Sequence, residues 1–142
     1  MKRNWSLPIL LAGCGLAVAV LQFVAGRFAM GVAFAVVFLV VAAIHSPLVF
    51  PASVTDAEAR RRSAADGRPI VYWRAGCRYC LRLRFRLGRD ARRAHWVNIW
   101  SDPDGAATVR AATGGAETVP TVVISGRPHV NPDPGWLRRR LS

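Results

Sequence analysis

The sequence predicts an α/β domain preceded by two apolar helices, and three observations carry that expectation. The first fifty residues are almost entirely apolar, whereas the remainder alternates short β-branched or aromatic runs with segments of helical spacing. A Cys-x-x-Cys pair, Cys77 and Cys80, lies between one such run and one such segment. The 142 residues carry a net charge of +12, nearly all of it from arginine. About +9 of this belongs to residues 52–142, where seventeen arginines face all eight acids, so the soluble part holds most of the positive charge. Such an excess suits nucleic acid, an anionic membrane surface or acidic ligands. No nucleic-acid module, phosphate loop, paired-carboxylate site or Ser/His/Asp order accompanies it, and the apolar N-terminal region points to a membrane.

Leu7 to Ala25 and Phe28 to about Ser46 are expected to form two membrane helices turning at Gly26-Arg27, a hairpin within residues 1–51. Gly15 with Ala19 and Gly31 with Ala35 have the small-xxx-small spacing that lets helices approach, although such spacing is also ordinary membrane composition. Lys2 and Arg3 before the hairpin and Arg60, Arg61 and Arg62 after it outweigh Arg27 at the turn. That balance places both ends, and the domain, on the cytoplasmic side of a multi-pass cell-membrane protein. Leu11-Ala12-Gly13-Cys14 is similar to a lipoprotein lipobox, which would export the domain and anchor it at Cys14. The apolar run continues past Cys14, however, and so favours a membrane helix.

Pro47 and Pro51 close the apolar region. Thr55-Asp56-Ala57-Glu58 reads as a capping box opening a connector helix that ends at Gly67, within residues 52–68. Ile70 to Trp73 reads as a strand and Cys77 to about Arg93 as a helix. Trp96 to Trp100 is a second strand, and Asp104 to Thr113 a helix stopped by Gly114-Gly115. Thr121 to Ile124 is a third strand, Gly126-Arg127 a turn, His129-Val130 a short fourth strand and Pro134 to Leu141 a last helix. Leu81 to Leu87 alternates with period two, a strand pattern. A helix instead puts Arg78, Arg82, Arg86, Arg89 and Arg93 on one stripe and leaves Leu81 with Phe85 and Leu83 with Leu87 as packing pairs. The stripe reads either as a solvated face or as a surface that attracts an acidic ligand or partner.

A cysteine at a strand-to-helix turn meets unpaired backbone N–H groups and the positive end of the helix dipole, both of which favour its thiolate. Arg74 and Arg78 flank Cys77 and are expected to act the same way. Zinc is disfavoured because there is no second cysteine pair and His45, His95 and His129 lack ligand spacing, so no metal and no bound cofactor is expected.

Cys77-Arg78-Tyr79-Cys80-Leu81-Arg82-Leu83, the later Gly114-Gly115-Ala116-Glu117-Thr118-Val119-Pro120-Thr121, and Asn131-Pro132 carry a resemblance. Residues 69–142 resemble the glutaredoxin family, and within it most closely the actinobacterial mycoredoxins. The resemblance implies a thioredoxin-like fold with a four-stranded mixed sheet flanked by helices. It implies a thiol–disulfide oxidoreductase in which Cys77 attacks mixed disulfides between proteins and a low-molecular-weight thiol such as mycothiol, with Cys80 as resolving thiol. It makes Pro120 a cis-proline presenting the backbone of Val119, and it assigns Thr118, Gly114 and Gly115, with Tyr79, Arg74 and Arg78, to binding the thiol ligand. The implied partners are disulfide-containing proteins, the small thiol and the membrane, with no nucleic acid. Arg78 departs from the proline of the commoner Cys-Pro-Tyr-Cys motif. The lesser readings are a thioredoxin-like general dithiol oxidoreductase and a non-catalytic membrane-tethered interaction domain.

Overall fold

The computed structural model describes residues 6–46 and 49–141, without the side chain of Leu7; Lys2, Arg3 and Pro47 of the readings above lie outside them. Two compact units meet between Val49 and Phe50.

In the N-terminal unit, α1 (Ser6–Val24) and α2 (Phe28–His45) are joined at Gly26, whose φ of +74° suits a residue without a Cβ. The small residues do bring the helices together. A Cβ on Gly31 would lie 2.7 Å from the Phe23 ring, and one on Gly15 would collide with Phe38. Ala19 and Ala42 are buried, while Leu10, Leu16, Leu21, Val24, Phe28 and Leu39 are all more than half exposed. Helix α2 is long and apolar enough to cross a membrane, whereas the apolar stretch of α1, Pro8–Val24, is shorter. Of the two expected spans, therefore, one meets the requirement of length.

The C-terminal unit is built on a sheet of order β2-β1-β3-β4. Strand β1 (Ile70–Trp73) is an unbroken apolar run because it is central: all four residues are buried. It pairs in parallel with β2 (His95–Asn98) and antiparallel with β3 (Thr121–Ile124). Strand β4 (Arg127–Val130) is the antiparallel edge, where Pro128 and exposed side chains are tolerated. It is longer than the two residues expected, and β2 starts earlier and ends sooner than Trp96 to Trp100.

Helix α4 (Arg78–Leu87) settles the ambiguous alternating segment. Cys80, Leu83 and Leu87 are its buried residues and form an i, i+3, i+7 stripe, so the cysteine completes a helical face that the leucines alone leave as period two. The expected pair Leu81 and Phe85 is not the core face, since Phe85 is 59% exposed. The helix also stops at Gly88, and a 3₁₀ segment, Gly88–Arg93, follows; the arginine stripe thus breaks there rather than running on to Arg93. Helix α5 (Pro103–Ala112) links β2 to β3, and a short α6 (Pro134–Arg138), ending three residues before the expected Leu141, packs against α4.

The largest departure concerns residues 50–68, which are part of the domain. Phe50 stacks on Trp73 with ring centres 3.8 Å apart, Trp73 Nε1 donates to Ser53 Oγ at 3.0 Å, and Val54 N donates to Trp96 O at 2.9 Å beside a parallel bridge from Ser53 to Trp96. Helix α3 (Asp56–Asp66) has the expected Thr55 cap, which accepts from Glu58 N, and the expected left-handed Gly67. It docks through Ala59, which is fully buried, and through Asp56, whose carboxylate accepts from Tyr72 Oη at 2.5 Å and Arg60 Nε at 2.7 Å. Burial and the Asp56 carboxylate push the Tyr72 phenol up, so it stays protonated as donor. Asp102 stands at the N-cap of α5 without capping it, and turns its carboxylate to Asp56 N at 2.5 Å, which holds the first turn of α3. Arg60 and Arg62 pair with Asp56 and Glu58, as does Arg61 with Glu58, so this basic run is partly neutralised within its own helix.

Replacing Asp102 by alanine leaves a buried amide without its acceptor, and the expected cost is about 1–3 kcal/mol. Urea unfolding of the full chain in detergent, followed by tryptophan fluorescence, measures it; Asp104→Ala on the exposed side of α5 should cost far less.

Candidate active site

Antiparallel pairing of Tyr72 with Thr121 means that β1 ends where β3 begins, so the loop after β1 and the segment before β3 leave the sheet at the same end. Parallel pairing of Trp73 with Asn98 and antiparallel pairing of Val130 with Thr121 bring the exits of β2 and β4 to that end as well. Residues distant in sequence are thereby gathered around one thiol.

Arg74 to Gly76 make the turn, with Gly76 at a φ of +74°, and Cys77 follows with extended backbone as the N-cap of α4. Its Sγ accepts from Cys80 N at 3.3 Å, the position a serine or aspartate oxygen takes in a common helix cap. In its protonated form the same sulfur donates to Val119 O, 3.4 Å away. The two contacts favour opposite protonation states, and the donors prevail. The Cys77 thiol is lowered to about 6, chiefly by the hydrogen bond from the Cys80 side chain, against the opposing effect of burial, with help from the Cys80 and Tyr79 amides and the charge of Arg74. Cys80 is fully buried. The hydrogen bond to Cys77, burial and the thiolate charge all push its thiol up, so the pair shares one proton that Cys80 keeps. Arg78 does not do what its sequence position suggests. Its guanidinium donates to Tyr79 Oη at 2.9 Å and lies 4.8 Å from that ring, leaving Arg74 as the arginine that acts on the sulfur.

A groove of about 560 Å³ opens at Cys77, lined by Arg74, Arg78 and Tyr79 on one side and by Glu117, Thr118 and Val119 on the other. The Val119–Pro120 bond is cis. Thr118 is held by its carbonyl, which accepts from Thr121 Oγ1 at 2.7 Å. Gly114 and Gly115 do not line the groove; both have positive φ, and Gly115 N donates to Arg110 O at 2.8 Å, so they close the end of α5 and set the path of the loop. Gly76, Ala116 and Glu117 do line it and were not singled out from the sequence. Glu117 had a signal available, being an acid seven residues from Arg110, with which it pairs at 2.6 Å. Among the described residues no group of three His, Cys, Asp or Glu is placed to hold a metal.

Alkylation of reduced protein by iodoacetamide is expected to begin at Cys77 with a midpoint near pH 6, and Arg74→Gln should move the midpoint upward. The depressed thiol also sets a sign for stability. The contribution from Cys77 is fully present above the free-thiol pKa of about 8.5 and is lost as the pH falls through about 6. Between those limits the reduced protein should gain stability with rising pH, and Cys77→Ser should flatten the rise in urea unfolding.

The glutaredoxin family model matches residues 70–130, from the first residue of β1 to the last of β4. No curated protein and no solved structure matches the chain. With its four-stranded mixed sheet and flanking helices, the C-terminal unit has a thioredoxin-like α/β fold, and it is this sheet that is similar to the glutaredoxin family.

Proposed function

We propose that this chain is a membrane-anchored glutaredoxin-like thiol–disulfide oxidoreductase that acts on mixed disulfides between proteins and a low-molecular-weight thiol, with mycothiol the thiol that its Cys-x-Tyr-Cys and Thr-Val-Pro segments suggest. The observation that carries this reading is the acidic Cys77 sulfur at the head of α4, open to a groove whose far wall is Thr118-Val119. In the first step the thiolate attacks the small thiol's sulfur. A new bond joins Cys77 to that sulfur, the old S–S bond breaks, and the electron pair leaves on the protein's sulfur, which takes a proton from solvent. The backbone of Val119 offers main-chain hydrogen bonds to the small thiol, and Thr118, Tyr79, Arg74 and Arg78 surround it. A second small thiol then frees Cys77 and departs as its symmetric disulfide, or Cys80 attacks the Cys77 sulfur, expels the small thiol with the electron pair and leaves the Cys77–Cys80 disulfide. For Cys80 the way opens only after the first step. Once Cys77 is bonded, the hydrogen bond to its thiolate and the thiolate charge no longer raise the Cys80 thiol, and burial is the main opposition left.

We read the exposed apolar surface of α1 and α2 as anchoring both helices in a membrane, with α2 the one of spanning length among the described residues. We place both termini and the redox domain on the cytoplasmic side, where reduced small thiols maintain such a cycle.

Full-length protein in detergent should reduce a protein–mycothiol mixed disulfide, and Cys77→Ser should lower turnover by at least about a thousandfold, the loss expected for a missing nucleophile. Cys80→Ser should accumulate Cys77 carrying the mass of the small thiol; wild type that neither turns over nor forms this adduct would sink the proposal. On intact cells an impermeant maleimide should label Arg27→Cys and spare Ala64→Cys, in a background lacking the other cysteines; the reverse pattern refutes the orientation.

A further inference from the structure

The end of α4 remote from the thiol carries a concentration of charge that the proposed exchange does not use. Residues 84–93 hold five arginines against one acid, Asp90, and that acid lies 3.6 Å from Arg138. Arg84 closes the last turn of α4, its guanidinium donating to Gly88 O at 2.8 Å, and Arg93 donates to Leu141 O at 2.8 Å. In the 3₁₀ segment that follows, Arg89 and Arg92 are both exposed and, among the described residues, neither has a hydrogen bond or an ion pair. Burial, and then the charge of Arg92, lower the Arg84 guanidinium from its ordinary value, a sign that the cluster repels itself.

Phe85 stands beside them, largely exposed, on the side of α4 opposite the buried Cys80, Leu83 and Leu87. An exposed ring flanked by arginines suits a layer of anionic headgroups, where the ring enters the boundary and the guanidiniums meet phosphates. The chain that leads into the domain points to the same partner. Four residues separate His45, the end of α2, from Phe50, and such a connection spans at most about 18 Å. The Phe50 ring lies 5.7 Å from that of Trp96, whose indole donates to Ala91 O at 2.7 Å, so the first residue of the domain and the 3₁₀ segment share one neighbour. The other basic run, on α3, is already paired with Asp56 and Glu58. It also lies across the sheet: Trp96 pairs with Val71 and shares its face, whereas Tyr72, which donates to Asp56, points the other way. The outward face of a helix offers no concave seat for a polypeptide, and a headgroup layer needs none.

We infer that Arg84, Arg89, Arg92 and Arg93, with Phe85 beside them, dock the redox domain on the anionic headgroups of the bilayer that holds the apolar helices. The inference rests on the anchoring proposed above and adds which surface the domain turns to the membrane. Cys77 caps the other end of α4, about 15 Å away along ten residues, so docking by this end leaves the groove open to disulfides of soluble proteins.

The test uses the full chain in nanodiscs of phosphatidylcholine with or without phosphatidylglycerol, and bimane on one cysteine at a time, quenched by lipid that carries a spin label on its headgroup. With Cys14→Ser, Cys77→Ser and Cys80→Ala as background, a label on Phe85→Cys should be quenched in the anionic discs and spared in the neutral ones, and high salt should relieve the quenching. A label on Ala107→Cys should be spared in both, because it sits on α5 beside Thr108, whose hydroxyl donates to Asp56 across the sheet. So should a label on Cys77 itself, in a background that keeps it. Adding Arg89→Gln with Arg92→Gln should lower the docked-to-free ratio by about thirtyfold, while the same change of charge on α3, Arg61→Gln with Arg62→Gln, should lower it by about threefold at most. The assignment is overturned if Phe85→Cys is quenched equally in both discs or in neither, if the Arg89 and Arg92 variant keeps the quenching, if the α3 control loses it as fully, or if Cys77 is quenched as strongly. It is equally overturned if poly-glutamate shields the Phe85→Cys label and anionic lipid does not, which would make the occupant an acidic polypeptide. Failure of acyl-chain spin labels to quench Val36→Cys of α2 in either disc would instead overturn the anchoring.

Discussion

The antiparallel register of β1 against β3 is the constraint on which the site depends. Because Tyr72 faces Thr121, Cys77 comes within 3.4 Å of a carbonyl 42 residues further along the chain. A register slip of one residue would swap the side chains between the two faces of the sheet and undo the packing on both sides of β1, so the apolar core enforces the same alignment that positions the thiol. The burial of Val71, Val122 and Tyr72, none of which lines the groove, therefore fixes the distance between the nucleophile and the backbone beside it.

The core is completed by residues whose chemistry would place them elsewhere. Two carboxylates, Asp56 and Asp102, are buried where α3 meets the sheet and α5. Each is satisfied by donors from another element, and the described residues hold no buried side-chain polar atom without a partner. Such a network is tolerated because every member is bonded; deprived of one partner it would become a liability. Its effect is to fasten the stretch after the apolar hairpin onto the redox domain, so the domain begins at Phe50.

Much of this was legible in the sequence. Ile70–Trp73 and Thr121–Ile124 are short β-branched and aromatic runs with clear punctuation, and Thr55 and Gly67 mark α3 by their caps. The cysteines and the Thr-Val-Pro segment pointed to the right loops because their residue types are unusual in those positions. What escaped is what depends on tertiary contact. The role of residues 50–54 rests on ring stacking and an edge hydrogen bond that no local pattern announces. The α4 stripe was misassigned because its third member is a cysteine rather than a leucine, and the break at Gly88 turns on a glycine whose φ of +55° the sequence does not declare. Side-chain direction was the remaining gap: adjacency in sequence suggested that Arg78 acts on the sulfur, while its guanidinium found a nearer partner in Tyr79.

Cys77 is both the nucleophile and the N-cap of α4. A sulfur that enters a disulfide gives up its negative charge, and with it most of its strength as an acceptor for the Cys80 amide. Helix capping and electron transfer thus draw on the same interaction. Whatever strengthens the cap makes the thiol more acidic, and by thermodynamic linkage it also biases the dithiol–disulfide couple toward the reduced form. Any substitution in the first turn of α4 that improves helix geometry will for that reason make the domain a weaker electron donor, so in this fold the ideal helix and the ideal reductant are different sequences.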